Sequence, residues 1–200
     1  MMYAWTAIFA VVLIWSGIQP TDRMTWILEV LPAVIGAVVL AVTRKRFPLT
    51  PLVYGLILVH AIILMVGGHY TYAQVPLFDW LGDLFGWERN NYDKLGHFAQ
   101  GFVPAIIARE IIVRRGIIRP GAWTSFFVIC FTLALSAFYE LIEWWVALAS
   151  GQGADAFLGT QGYVWDTQSD MLWCLGGAIV SLLLLSSIHD RQMQGIKAPA

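Results

Sequence analysis

Six stretches of the chain are long and apolar enough to cross a hydrocarbon core, near residues 3 to 19, 25 to 43, 52 to 68, 93 to 113, 121 to 149 and 168 to 188. A spanning helix needs roughly 20 mainly apolar residues, so these runs use up most of the chain and leave little for an extramembrane domain. Composition agrees: 58% of the 200 residues are hydrophobic and 12% are charged, and a mean hydropathy of +0.68 lies far above that of a soluble domain of this size. The sequence therefore predicts an all-α fold, a polytopic membrane helix bundle of about six transmembrane helices forming a single integral membrane domain over residues 1–200.

A net charge of -1 argues against nucleic acid as a partner. Cys130 and Cys174 both fall inside apolar runs and read as small apolar core residues. The first stretch lacks a basic leading segment and a small-x-small cleavage site, so it reads as a retained helix. Positively charged segments stay on the cytoplasmic side of a membrane. Arg44, Lys45 and Arg46 follow the second run, Arg114, Arg115 and Arg119 the fourth, and Arg191 and Lys197 the sixth. All fall on one side of an even-numbered topology. This places both termini in the cytoplasm, with the loops at residues 20 to 24, 69 to 92 and 150 to 167 facing outward.

Turn residues mark the breaks. Pro48 and Pro51 frame the turn after the second run, Pro120 and Gly121 separate the fourth from the fifth, and Gly151 and Gly153 end the fifth. The segment from His69 to Asn91 mixes Phe78, Trp80, Leu81, Leu84, Phe85 and Trp87 with Asp79, Asp83 and Glu88, the composition of a short amphipathic helix at the membrane interface. With Trp26, Trp144, Trp145, Trp165 and Trp173 it forms an outer aromatic belt.

Against this apolar background six side chains stand out: Asp93, His97, Glu140, Glu143, Asp166 and Asp170. Each successive pair is three or four residues apart and so shares one helix face. In the proposed topology the three pairs lie at a similar depth below the outer surface. Five carboxylates cannot all ionise in a dry cleft without a cation. A metal, shared protons, the neighbouring Lys94 or a cationic ligand would supply the compensation. Carboxylates with one imidazole suit Mg, Mn, Fe or Zn, and paired carboxylates from several helices are how bundle proteins build dinuclear sites. The plainer reading is that these groups cap helix ends and line a wet vestibule, with Asp93 and Asp166 well placed as first-turn acids. Elsewhere, Glu110 reads as the ion-pair partner of Arg114, His60 as a hydrogen-bonded core histidine, His69 and Tyr70 as rim residues, and His189 as a solvated tail residue. The chain has no GxSxG, HExxH or phosphate-cradling glycine loop, which removes the common hydrolase, protease and nucleotide-binding assignments.

The runs Asn91-Tyr92-Asp93-Lys94-Leu95-Gly96-His97-Phe98-Ala99-Gln100-Gly101-Phe102, Tyr139-Glu140-Leu141-Ile142-Glu143-Trp144 and Val164-Trp165-Asp166-Thr167-Gln168-Ser169-Asp170-Met171 resemble the DUF2238 inner-membrane family over about residues 69 to 185. Their order is also similar to that of the VanZ-like membrane proteins, which carry an Asp-Lys-x-x-His helix start, a membrane glutamate and an Asp-x-x-x-Asn-x-x-Gly helix. Here those positions are Asp93, Lys94 and His97, then Glu140 or Glu143, then Asp170 to Gly177, with Cys174 where asparagine is expected. The resemblance implies a multi-helix envelope protein and, through the VanZ-like group, an association with glycopeptide resistance. It names no reaction.

Two function classes follow. In one, Asp93, His97, Glu140, Glu143, Asp166 and Asp170 bind one or two divalent ions and act on an envelope lipid or lipid-linked substrate, with Lys94 and Glu143 in catalytic proton-transfer or charge-stabilising roles. In the other, the same acids bind or transport an ion, a metal or an organic cation. A structural membrane subunit is the third reading.

Overall fold

The computed structural model describes residues 2–150, 155–158 and 160–196, and the regular elements among these are all helical. In chain order they are α1 (Met2–Ser16), α2 (Arg23–Thr43), α3 (Pro51–Tyr70), α4 (Pro76–Phe85), α5 (Tyr92–Arg114), α6 (Ala122–Ser150), the single turn α7 (Asp155–Leu158) and α8 (Asp166–Gln194). Gly151, Gly153 and Lys197, read as a helix stop and part of a basic cluster, lie outside the described residues.

Local chemistry accounts for the helix starts. The Asp22 carboxylate accepts the Thr25 backbone N–H at 2.7 Å and caps α2. Thr50 caps α3, with Pro51 in its first turn, where a missing N–H costs nothing. The amphipathic segment forms α4, opened by Pro76 and closed by left-handed Gly86. Four helices, α2, α3, α6 and α8, are long and apolar enough to cross a membrane. α1 is apolar but only 15 residues long, and α5 has the length but carries Asp93, Lys94, His97, Arg109, Glu110 and Arg114.

Packing explains how so polar a helix is tolerated. α5 lies against α3, α6 and α8, with its most extensive interface on α8. The two run parallel, since Asp170 lies beside His97 and His189 beside Glu110. They cross at Gly101 and Gly177: a Cβ on Gly101 would overlap the Cys174 carbonyl, and one on Gly177 the Phe98 carbonyl. Small residues at a crossing let helix backbones touch, the usual way membrane helices gain packing energy. α6 runs the opposite way, with Thr132 beside Cys174 and Glu140 beside His97. α1 runs parallel to α3, joined by Trp5 Nε1–H donating to the Tyr54 carbonyl at 2.8 Å and by His69 Nδ1 bonded to the Ser16 carbonyl at 2.9 Å. His69 thus ties α1 to α3.

Chemistry segregates to the two ends of this bundle. At one end Arg114 lies over the Phe47 ring at 4.3 Å and bonds the Pro48 carbonyl, while Gln192 accepts the Leu52 N–H. Here Glu110 is fully buried and takes bonds from the Thr50 amide (2.9 Å), the Thr50 hydroxyl (2.7 Å), Arg114 (2.6 Å) and His189 Nε2 (3.0 Å). The expected Glu110–Arg114 pair is present. His189, expected to be a solvated tail residue, is instead fully buried, because α8 continues through Gln194 and carries it back onto α5. Arg109 stands 3.2 Å from His189 Nδ1. Arginine has only donors, so Nδ1 is the acceptor and His189 is the neutral tautomer protonated at Nε2, which donates to Glu110. The cysteine expectation divides. Cys174 is buried in the α5–α8 crossing, whereas Cys130 is exposed on the outer face of α6, since a helix in lipid is apolar on its outside as well.

Candidate functional site

At the opposite end three helices bring acids together. Asp93 and His97 share the first turns of α5, Asp170 comes from α8 and Glu140 from α6. His97 Nε2 lies 3.4 Å from Asp93 Oδ1 and 3.9 Å from Asp170 Oδ2. One ligand atom from each of Asp93, His97 and Asp170 lies within 4.8 Å of the others, a buried group that could hold a metal ion. The other imidazole nitrogen, Nδ1, is 3.1 Å from Gln100 Oε1 and 4.0 Å from Glu140 Oε1. Gln100 Oε1 accepts a proton from Nδ1, and a bound ion would replace the proton through which Nε2 faces Asp93, the orientation that metal-bound histidines receive from their outer partners.

The carboxylates here are incompletely bonded. Among the described residues, Asp170 Oδ1 and Glu140 Oε1 are buried without a hydrogen-bond partner, Asp93 Oδ2 has only the Arg89 ion pair at 3.6 Å, and the Asp170 side chain is only 4% exposed. Buried polar atoms are nearly always satisfied, so three such oxygens around one imidazole describe a place where a cation or protons belong.

The remaining expected residues surround this group. Asp166 is held by Arg89 at 2.5 Å, and Arg89 also lies 3.6 Å from Asp93. Lys94 sits over the Tyr163 ring at 5.9 Å, so the cation paired with the acids is Arg89. Glu143 faces a cavity of about 620 Å³ that Asp93 and His97 also line. α7 rests on α2 and α6 and contributes Phe157 to the same cavity wall.

Sequence reasoning missed three contributors. Glu29 of α2 is buried, lines the cavity and accepts the Tyr139 hydroxyl at 3.3 Å. As an acid inside an apolar run it carried the same signal as Glu140. Tyr72 reaches the cavity from the turn after α3, where Thr71 and Tyr72 both adopt left-handed φ, 59° and 54°. A β-branched residue at positive φ is strained, and such strain collects at functional sites. The turn swings the Tyr72 ring against Gly67 and Gly96, and burial holds its phenol well above the ordinary value of 10.0, so it stands as a donor toward Glu29. Arg89 lies in a loop with no pattern to flag it. His60 lines the cavity without a hydrogen bond among the described residues, contrary to the hydrogen-bonded core role expected of it. His69, expected at the rim, is occupied by the α1 clasp.

The DUF2238 family, described as "Predicted membrane protein (DUF2238)", matches residues 1–191. The chain belongs to the DUF2238 family. Its match extends across both N-terminal helices, beyond the residues 69 to 185 that carry the motifs. One relative, the "Inner membrane protein YjdF" of Escherichia coli (strain K12), is 55% identical over 183 residues, covering 92% of this chain and 88% of that protein. No solved structure matches.

Proposed function

We propose that this DUF2238 protein is a divalent-metal-dependent enzyme of the bacterial inner membrane that acts on an envelope lipid or lipid-linked substrate. Asp93, His97 and Asp170 would hold the ion, with Glu140 beside them. The observation that carries this reading is the set of buried carboxylate oxygens around His97 that lack a hydrogen bond among the described residues, beside a cavity that Asp93 and His97 line. A bound divalent ion would supply Lewis-acid polarisation of a phosphoryl group or an activated water. Glu143, facing the cavity, is placed to move a proton. Arg89 balances the charge of Asp93 and Asp166, and Lys94 at the rim would attract an anionic head.

The same proposal includes six membrane crossings, with α1 and α5 joining the four strongly apolar helices, both termini in the cytoplasm and the acidic end outward. The segregation of Arg114 and Arg115 to the opposite end supports that orientation.

Cation transport is the competing class. Both oxygens of Glu110 are bonded, and the space that passes Val103, Ile107 and Ile111 toward the basic end has mostly apolar walls, with no chain of polar groups from His97 to Glu110 among the described residues. This favours a site over a path. A structural subunit would bind no ion at all. Metal content by mass spectrometry tests the proposal on purified wild type and on a His97→Ala, Asp170→Asn double variant. Near-stoichiometric metal in the wild type, lost in a variant that still elutes as folded protein, is expected. No metal in either after incubation with Mg, Mn, Fe and Zn sinks the metalloenzyme.

A further inference from the structure

The space beside the acids continues into the bundle. A second cavity, about 410 Å³, shares the wall residues Pro32, Gly36, His60 and Leu64 with the first, so the two adjoin at these side chains, which form the waist between them. From there it follows α2 and α3 toward the basic end, walled by Trp5, Phe9, Leu40 and Ile57 and reaching Arg115. The Arg115 guanidinium lies over the Phe47 ring at 5.0 Å, so its charge is turned to an aromatic face while its stem adds hydrocarbon to the wall.

Protein interiors close-pack, and an apolar gap along a membrane helix fills with hydrocarbon, there being no water to fill it. This gap differs from an ordinary lipid-facing groove because it communicates with a buried polar cluster. One end offers the acids Glu29, Asp93 and Glu143 with His97, and the rest offers a mostly apolar wall in which His60, Thr43 and Arg115 are the polar exceptions. That is the complement of an amphiphile.

We infer that the joined cavities hold a single phosphate-bearing lipid, its head at Asp93, His97 and Asp170 and its hydrocarbon chain passing Gly36 and His60 into the α2–α3 track. The contact of head with cluster rests on the metal reading above; the path of the chain does not. The substrate is then a whole lipid taken from the plane of the bilayer, as distinct from a water-soluble phosphate.

Gly36 makes the track testable. A Cβ there meets nothing within 4 Å, so Gly36→Leu leaves the backbone undisturbed and blocks the waist. Gly55 also has open space around it and lies outside both cavity walls, so Gly55→Leu is the control. The probe is phosphatidic acid carrying a diazirine near the end of one acyl chain, photolysed in nanodiscs and mapped by peptide mass spectrometry. Wild type and Gly55→Leu should label at Leu40, Ile57 and their neighbours. Gly36→Leu should lose that label and keep its metal, and excess inorganic phosphate should not displace the lipid from wild type. Labelling confined to outward-facing residues, or unchanged by Gly36→Leu, overturns the inference. Track labelling that persists when the wild type binds no metal sustains the chain path and sinks the metal reading alone. Displacement by inorganic phosphate overturns the preference for whole lipid.

Discussion

Glu110→Ala is the most informative perturbation of the bundle, because its effect can be worked out bond by bond. The carboxylate accepts from the Thr50 amide and hydroxyl, from Arg114 and from His189. Thr50, Glu110 and His189 are all fully buried. Removing the carboxylate leaves Arg114 its second acceptor, the Pro48 carbonyl at 2.6 Å. The two Thr50 donors and His189 Nε2–H lose theirs. A buried donor left unsatisfied costs about 1–3 kcal/mol, and breaking a buried ionic network by removing one partner costs about 3–5 kcal/mol overall. At about 2–4 °C per kcal/mol for a chain of this size, the apparent melting temperature should fall by roughly 6–20 °C. The assay is the fraction of detergent-solubilised protein that still elutes as a monodisperse peak after heating. Asp190→Ala is the comparator: its pair with Arg109 is 2.8 Å long, and the Asp190 side chain is 44% exposed against 8% for Arg109, so solvent partly screens the pair and its loss should cost less than that of the fully buried Glu110. If Glu110→Ala shifts the melt no further than Asp190→Ala, the buried network does not hold the basic end together and the reasoning fails.

Gly101→Ala should destabilise by about 1–3 kcal/mol or more, since the added methyl meets the Cys174 backbone, which has no rotamer to change; Gly36→Ala, with open space around it, should melt at or above wild type. Asp22→Ala should lose about 1 kcal/mol at pH 7 by uncapping α2. The bond from the Thr25 amide holds the Asp22 carboxyl below its usual 3.8, so its contribution is present above that pH and disappears as the pH falls through the lower folded value. The gap between the two melts should therefore close in acid, and a gap that widens there would contradict the cap.

Run length and turn chemistry made the helices legible, and the i,i+4 spacing of Asp93 with His97 and of Asp166 with Asp170 correctly put each pair on one helix face. What the sequence withheld has a physical cause in each case. In a membrane bundle the outside is as apolar as the inside, so nothing local distinguishes lipid-facing Cys130 from buried Cys174. His189 was judged by its place beyond the last apolar run, yet a helix need not end where its hydropathy does. Arg89 belongs to the site through a loop, and loops carry no periodicity. Glu29 was legible and overlooked: one acid in the second run deserved the same question as Glu140, since charge in hydrocarbon is costly wherever it falls.

The glycine crossing links stability to the site. α5 is the helix that fails on composition as a membrane span and also the one most enclosed by the others, so its polar groups face protein at both ends. Gly101 lies one turn below His97, and Gly177 lies two turns below Asp170, on the face of α8 that meets α5. Backbone contact at that point brings Asp170 to 3.9 Å from His97 Nε2. A methyl group at Gly101 must push α8 away, and the displacement carries to Asp170 because a helix transmits it as a rigid rod. The donor set is thus positioned by helix backbones and not by loops, the arrangement that holds ligands most exactingly. Gly101→Ala should accordingly weaken metal retention as well as stability, while Glu110→Ala, at the far end, should lower the melt and leave metal content intact at temperatures where the protein stays folded.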